Sequence, residues 1–278
     1  WLLSKGRLKE CRKVLQKIEP ENTVNDLIGQ MEVEIEKDRN SAVGWRYLMQ
    51  PWLRTPLMIA VCIMFFQQFV GINTVIYYSP KIFLMAGFES TLSAIWASVG
   101  IGIVNVVFTV ISLYLVDRIG RRKLYFIGLS GIAFSVLCLS ACFIYANQLG
   151  EIGRWLMVIF MFGYVAFFAI SIGPLGWLVI SEIFPQKVRG LGTSIGSLAV
   201  WIFNCIVSFT FFKIIDFFSI PGTEIVVGQT TSENPAGAFF LYGFIAVLGL
   251  VWGYLFLPET KGLSLEEIEQ KWRKNREC

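Results

Sequence analysis

Gln67 to Tyr78 reads QQFVGINTVIYY. Two adjacent carboxamides, an asparagine, a threonine and two adjacent tyrosines fall within about three helical turns. All are neutral, and the carboxamides both donate and accept hydrogen bonds. A neutral polyhydroxyl ligand needs that chemistry, because each of its hydroxyls gives one hydrogen bond and accepts others. A lone amide in an apolar helix commonly bonds a neighbouring helix instead. Three amides with two tyrosines predict a wet cavity. Counted along an unbroken helix, Thr74 and Tyr78 lie within about 20° of Gln67, with Asn73 and Tyr77 to one side and Gln68 to the other.

Four further side chains, each weak alone, fit the same chemistry: Asn105, Trp177, Trp201 and Asn204. An indole is a flat apolar plate with a single donor, suited to the C–H face of a ring. The chain has no histidine, which removes the commonest metal ligand and general base. No nucleophile–base pair can be assembled in the apolar segments. No catalytic, metal or cofactor site is predicted, and the chain does not read as an enzyme.

These residues sit in long uncharged blocks. The chain is 55% hydrophobic and 16% charged, against roughly a quarter charged in soluble domains. Six blocks, about 57–79, 92–116, 124–146, 155–180, 190–212 and 238–257, contain no Asp, Glu, Lys or Arg. Each is long enough to cross a bilayer. The expected fold is an all-α membrane protein of six transmembrane helices. Lys and Arg alternate between the connecting segments, 21 on one side and 3 on the other, which predicts cytoplasmic termini. The basic loops need no nucleic-acid partner to explain them. With no charge at membrane depth, nothing marks a proton relay, voltage sensor or ion site. The six cysteines read as free thiols.

Helix-breaking residues have their own pattern. SIGPLGW, Ser171 to Trp177, sets Pro174 between Gly173 and Gly176 in the fourth block. Pro174 lacks a backbone donor, so a break is expected there, lining a cavity. Gly71 and Gly163 are weaker candidates. Gly100, Gly102, Gly190, Gly192 and Gly196 read as close packing between helices.

Outside the blocks, residues 1–50 carry two amphipathic stripes: Leu8, Cys11, Leu15 and Ile18, then Val24, Leu27, Ile28, Met31 and Ile35. In the tail, Ser264 and Glu267 form a capping box ahead of a face of Leu265, Ile268 and Trp272. Residues 213–237 read as irregular structure. The opening Trp1, without an initiator Met, reads as a trimmed chain or a piece of a longer one.

QQFVGIN, DRIGRR (Asp117–Arg122), Glu182 with Arg189 seven residues on, and PETKG (Pro258–Gly262) occur in that order. With the opening WLLSKGR, this set resembles the C-terminal half of the sugar porters of the major facilitator superfamily. It is most similar to bacterial xylose, glucose and galactose–proton symporters. The resemblance implies a cytoplasmic helical linker at 1–56, a six-helix bundle at 57–257 equivalent to helices seven to twelve, and a cytoplasmic C-terminal helix at 258–278. It implies transport of a monosaccharide, hexose or pentose, by alternating access in the cell (inner) membrane, coupled to a proton taken up by the absent N-terminal half. Substrate contacts fall on Gln67, Gln68, Asn73, Asn105, Trp177, Trp201 and Asn204. Gating falls on Tyr77, Tyr78, Gly173 and Pro174. A cytoplasmic salt-bridge network falls on Asp117, Arg118, Arg121, Arg122, Glu182 and Arg189. Val200 stands where relatives often carry an amide, and Ala169 where animal facilitators carry a glutamate. A transporter-like sugar sensor and a membrane structural or interaction protein, including one that binds nothing, are the competing readings.

Overall fold

The computed structural model describes residues 2–17, 20, 23–29, 31–32, 45–88, 90–219, 225–227, 230–262, 267–268 and 272. It divides into two compact units, Trp1–Gln50 and Pro51–Cys278.

In the first unit a 3-10 turn, Leu3–Lys5, closes on Gly6 and leads into the helix Leu8–Leu15. Arg7 forks onto Glu10 in the first turn of that helix. The expected stripe is partly realised. Cys11 is buried and Leu15 half-buried, but Leu8 is exposed. After Pro20 the chain turns helical again, with Val24 and Ile28 buried, Leu27 half-buried and Met31 exposed. Arg12 Nη2 donates to Asn25 Oδ1 at 2.7 Å and ties the two pieces together. Ile18 and Ile35 lie outside the described residues.

Among the described residues the second unit holds six helical segments long and apolar enough to cross a membrane: Pro51–Met85, Thr91–Ile119, Arg121–Ile144, Ala146–Ile183, Arg189–Phe217 and Ala236–Phe256. We number these spans one to six. The third packs between the fourth and sixth, and the first against the fifth. Hydroxyl-to-carbonyl bonds fasten the third span to the sixth, from Tyr125 to Gly249 at 3.0 Å and from Ser140 to Ala236 at 2.8 Å. The second span buries only Ala94, Ile101 and Ser112.

Two spans are discontinuous. The fourth divides into Ala146–Ile170 and Ile172–Ile183, with Ser171 at φ −128°, ψ −102°. Pro174, two residues into the second piece, explains the break, because the carbonyl of Ile170 has no N–H to receive. The first span is broken as well, into Arg54–Phe69 and Ile72–Met85, with Gly71 left-handed at φ +88°. The sequence ranked Gly71 below Pro174, yet its break is as complete. Gly163 stays helical. The fourth span also bends at Gly150, φ +52°, nearer its start than the uncharged block reached.

The segment between the fifth and sixth spans corrects an expectation. Rather than being wholly irregular, it contains an antiparallel hairpin pairing Ile225–Val227 with Thr230–Ser232. The β-branched runs on both arms favour extended pairing over helix. In the tail, Ile268 and Trp272 are buried, while Ser264 and Leu265 lie outside the described residues.

Gly128 lets the third span reach the break in the fourth, because a Cβ there would overlap the Ser171 side chain. Gly128→Val is expected to cost about 1–3 kcal/mol through overpacking. A fall in Tm in detergent checks this, and an unchanged Tm would mean the two spans do not meet at that point.

Candidate functional site

The two breaks face each other, and a side chain from each span bonds the backbone beside the other's break. At Gly71 the helix releases the Val70 carbonyl, which accepts from the Tyr164 hydroxyl on the fourth span at 2.8 Å. At Ser171, Gln67 of the first span reaches across. Its Nε2 donates to Ile172 O at 3.1 Å and to Gly173 O at 2.7 Å. Ser171 Oγ turns back to Phe167 O at 2.6 Å. At membrane depth an unpaired carbonyl costs several kcal/mol, so the break at Gly71 depends on Tyr164, while Ile172 O and Gly173 O, in the first turn of the second piece, take Gln67 as an additional donor.

The amides continue as a directed chain. Asn73 Nδ2 donates to Gln68 Oε1 at 2.6 Å, and Gln68 Nε2 donates to Gln67 Oε1 at 3.3 Å. Three carboxamides thus run donor to acceptor into the fourth-span carbonyls. Gln67 and Gln68 are almost fully buried as a result.

Beside this chain opens a cavity of about 390 Å³, within the usual range for small-molecule sites. Its wall brings together Gln67, Gln68, Asn73 and Tyr77 from the first span and Asn105 from the second. Gly173, Pro174 and Trp177 come from the fourth span, and Trp201 and Asn204 from the fifth. Trp177 and Trp201 are exposed and present broad apolar faces. Among the described residues, Asn73 Oδ1 and the Asn105 side chain have no protein partner. Asn204 is engaged by its neighbours, donating to Tyr77 Oη at 3.4 Å and accepting from Ser208 Oγ at 3.0 Å. Val200 and Ala169 also reach the wall.

The break changes which side chains face the cavity. The unbroken count set Thr74 and Tyr78 beside Gln67. In the structure Asn73 and Tyr77 hold that place, because left-handed Gly71 swings the second piece of the span round. Thr74 is fully buried and bonds Gly71 O at 2.6 Å. Tyr78 stacks on Phe211, and its hydroxyl reaches Ser208 O at 3.4 Å. Ile72, Thr109 and Phe168, which the sequence did not single out, complete the wall. Nothing in their types or spacing separates them from helix-packing residues. Among the described residues no group of three or more Cys, Asp or Glu could hold a metal ion.

The charged motifs gather at the other end of the bundle. Arg121 forks onto Glu182, with Nη2–Oε1 at 2.7 Å and Nε–Oε2 at 3.3 Å, and Asp117 Oδ1 lies 3.4 Å from Arg121 Nη1. Glu182 also accepts from Thr260 Oγ1. Glu259, at the end of the sixth span, accepts the backbone N–H groups of Arg121 and Arg122 at 3.0 and 3.2 Å and so caps the third span. A carboxylate there also meets the positive end of the helix dipole. Lys261 Nζ donates to Arg118 O at 2.6 Å. Arg122 bonds Tyr254 O at 2.8 Å. Arg189 stays apart from Glu182, with Nε and Nη2 buried and without a partner among the described residues. Glu259 and Thr260 were not among the expected network residues. PETKG, one of the motifs that carry the family resemblance, was their signal.

The family profile "Sugar (and other) transporter" matches residues 1–272. The D-xylose-proton symporter of Escherichia coli (strain K12) is 34% identical over 272 residues, covering 98% of this chain and 52% of the relative. The glucose facilitated diffusion protein of Zymomonas mobilis is 34% identical over 275 residues, covering 98% and 54%. Among solved structures, the proton:xylose symporter XylE bound to 6-bromo-6-deoxy-D-glucose superposes with a TM-score of 0.74 at 32% identity, over 98% of this chain and 53% of that one. The inward open conformation of XylE from E. coli gives 0.65 at 30% identity, over 98% and 51%. The chain thus spans about half the length of the relatives it matches. Paired broken spans around a neutral amide cavity and a family match over nearly the whole chain lead to one assignment: the chain belongs to the sugar porter family of the major facilitator superfamily.

Proposed function

We propose that this chain is the C-terminal half of a transporter that moves a monosaccharide across the cell membrane by alternating access, coupled to protons. One observation carries the reading. Carboxamides from three spans and two exposed indoles converge on one uncharged cavity at a pair of helix breaks. Asn73 Oδ1 and the Asn105 side chain have unspent hydrogen-bonding capacity, and they would take the sugar hydroxyls directly. Gln67 and Gln68 would act partly through the chain that orders Asn73. Trp177 and Trp201 would cover the apolar ring face.

Tyr77, bonded to Asn204 at the cavity wall, would close over a bound sugar. Tyr78 would serve the same gate from behind, by seating its helix on Phe211. Gly173 and Pro174 supply the bend. Six-helix halves in such transporters rock about a shared site, so activity needs a second half. Among the described residues no carboxylate lines this cavity, so the proton would be taken up by the other half. The D-xylose-proton symporter supports coupling, and the glucose facilitated diffusion protein supports the substrate class. The charge asymmetry supports cytoplasmic termini, with residues 1–56 as linker and 258–278 as tail.

The cluster of Asp117, Arg121, Glu182 and Glu259 would then hold the cytoplasmic ends of the spans together while the cavity opens outward. Arg118, Arg122 and Arg189 would complete it, Arg189 by meeting a group that the isolated half does not offer.

In the complete protein, Gln67→Ala is expected to lower monosaccharide uptake at least about tenfold, with membrane insertion intact. Uptake at the wild-type level would count strongly against Gln67. Glu182→Gln should leave sugar binding in place and shift the protein towards cytoplasmic opening by about tenfold. Labelling from the cytoplasmic side reads that shift, and an unchanged labelling rate would remove the network from the gate.

A further inference from the structure

Tyr164 is fully buried and lies outside the cavity, yet it holds the break that shapes it. In an unbroken helix the Val70 carbonyl would accept from the Thr74 N–H. Here the Thr74 N–H turns to Gly71 O at 3.1 Å, and Thr74 Oγ1 adds a bond to the same oxygen at 2.6 Å. Val70 O, set loose by left-handed Gly71, is recaptured by the Tyr164 hydroxyl at 2.8 Å. The sixth span backs the break from another side, because the Tyr242 ring fills the space a Cβ on Gly71 would need. Straightening the first span would return Val70 O to Thr74. It would also carry Asn73 and Tyr77 off the cavity wall, since an unbroken helix sets Thr74 and Tyr78 beside Gln67. The broken and straight forms therefore compete for one carbonyl, and Tyr164 is the group that favours the broken one.

We propose that Tyr164 is a positioning residue of the cavity. By holding Val70 O it selects the broken first span and so places the Gln68–Asn73 pair against the ligand. The inference deepens the transport reading and rests on it for the sugar measurement only, because the state of the break can be read without sugar.

The experiment compares Tyr164→Phe, Thr74→Val and Tyr125→Phe in the complete protein, with D-xylose and D-glucose as probes. Tyr164→Phe keeps the ring and removes the bond. It is expected to raise the apparent sugar Kd about tenfold, with the maximal rate per inserted copy held within about twofold. Amide exchange across residues 68–76 should quicken about tenfold. Thr74→Val removes the second bond at the break and should act in the same direction. It decides the matter if Tyr164→Phe does not accumulate. Tyr125→Phe loses a bond of the same kind, to Gly249 O at 3.0 Å, away from both breaks. It should lower Tm while leaving the sugar Kd and the exchange of 68–76 unchanged. Unchanged exchange at 68–76 in both break variants would overturn the proposal, as would a Tyr125→Phe that reproduces their effects. If the wild-type protein binds neither sugar, the transport reading fails, and the exchange measurement alone decides the role of Tyr164.

Discussion

A helix that stops inside a membrane must find partners for the carbonyls it sets free, because neither lipid nor a dry protein interior supplies any. This chain breaks two spans, at Gly71 and at Ser171, and side chains cross between the two breaks. Tyr164 of the fourth span takes the freed Val70 carbonyl of the first, and Gln67 of the first adds bonds to the opening turn of the fourth span's second piece. The third span can press on one break because Gly128 has no side chain, and the sixth can press on the other because Gly71 has none. Each break is therefore held by at least two neighbouring spans. The cavity is the space that the two interrupted helices leave between them and the second and fifth spans.

The same exchange sets the chemistry of the site. Much of the amide capacity that a ligand would use is already committed to protein. Gln67 gives its N–H groups to carbonyls, and Gln68 gives and accepts within the chain. Hydrogen bonds aligned donor to acceptor polarise one another, so the last free acceptor, on Asn73, is strengthened by those behind it. With indole faces alongside and no charge in the wall, the cavity suits an uncharged ligand with polar edges and apolar faces. A charged ligand would have to give up its hydration for neutral dipoles alone.

At the opposite end the bundle is closed by ions instead of amides. Glu259 receives backbone N–H groups at the start of the third span, while Glu182, from the fourth, takes the Arg121 fork. Thr260 bonds Glu182 beside it and Lys261 bonds Arg118 O, so the residues just past the sixth span clasp the ends of three others. Such pairs, on partly buried side chains, hold firmly while assembled and separate readily once water enters. Neutral hydrogen bonds thus hold the breaks, and ion pairs hold the opposite end.

Much was legible in the sequence because hydrophobic runs and charge alternation are imposed by the bilayer, whatever the chain's other contacts. Six spans, a proline-driven break near Pro174 and the residue types of a neutral polar cavity all follow from local composition. Facing directions did not follow, because helical periodicity holds only while the helix does. Left-handed Gly71 exchanged Thr74 and Tyr78 for Asn73 and Tyr77 at the wall. The roles of Tyr164, Glu259 and Thr260 were equally hidden. Each acts on a group far away in sequence, Tyr164 on Val70 and the two tail residues on Arg121 and Glu182. The sequence alone determined which segments enter the membrane and what kind of ligand they could suit. Only the tertiary structure decided which carbonyls are set free and which side chains recapture them, because a hydrogen bond between spans depends on how helices pack and not on the order of residues within any one of them.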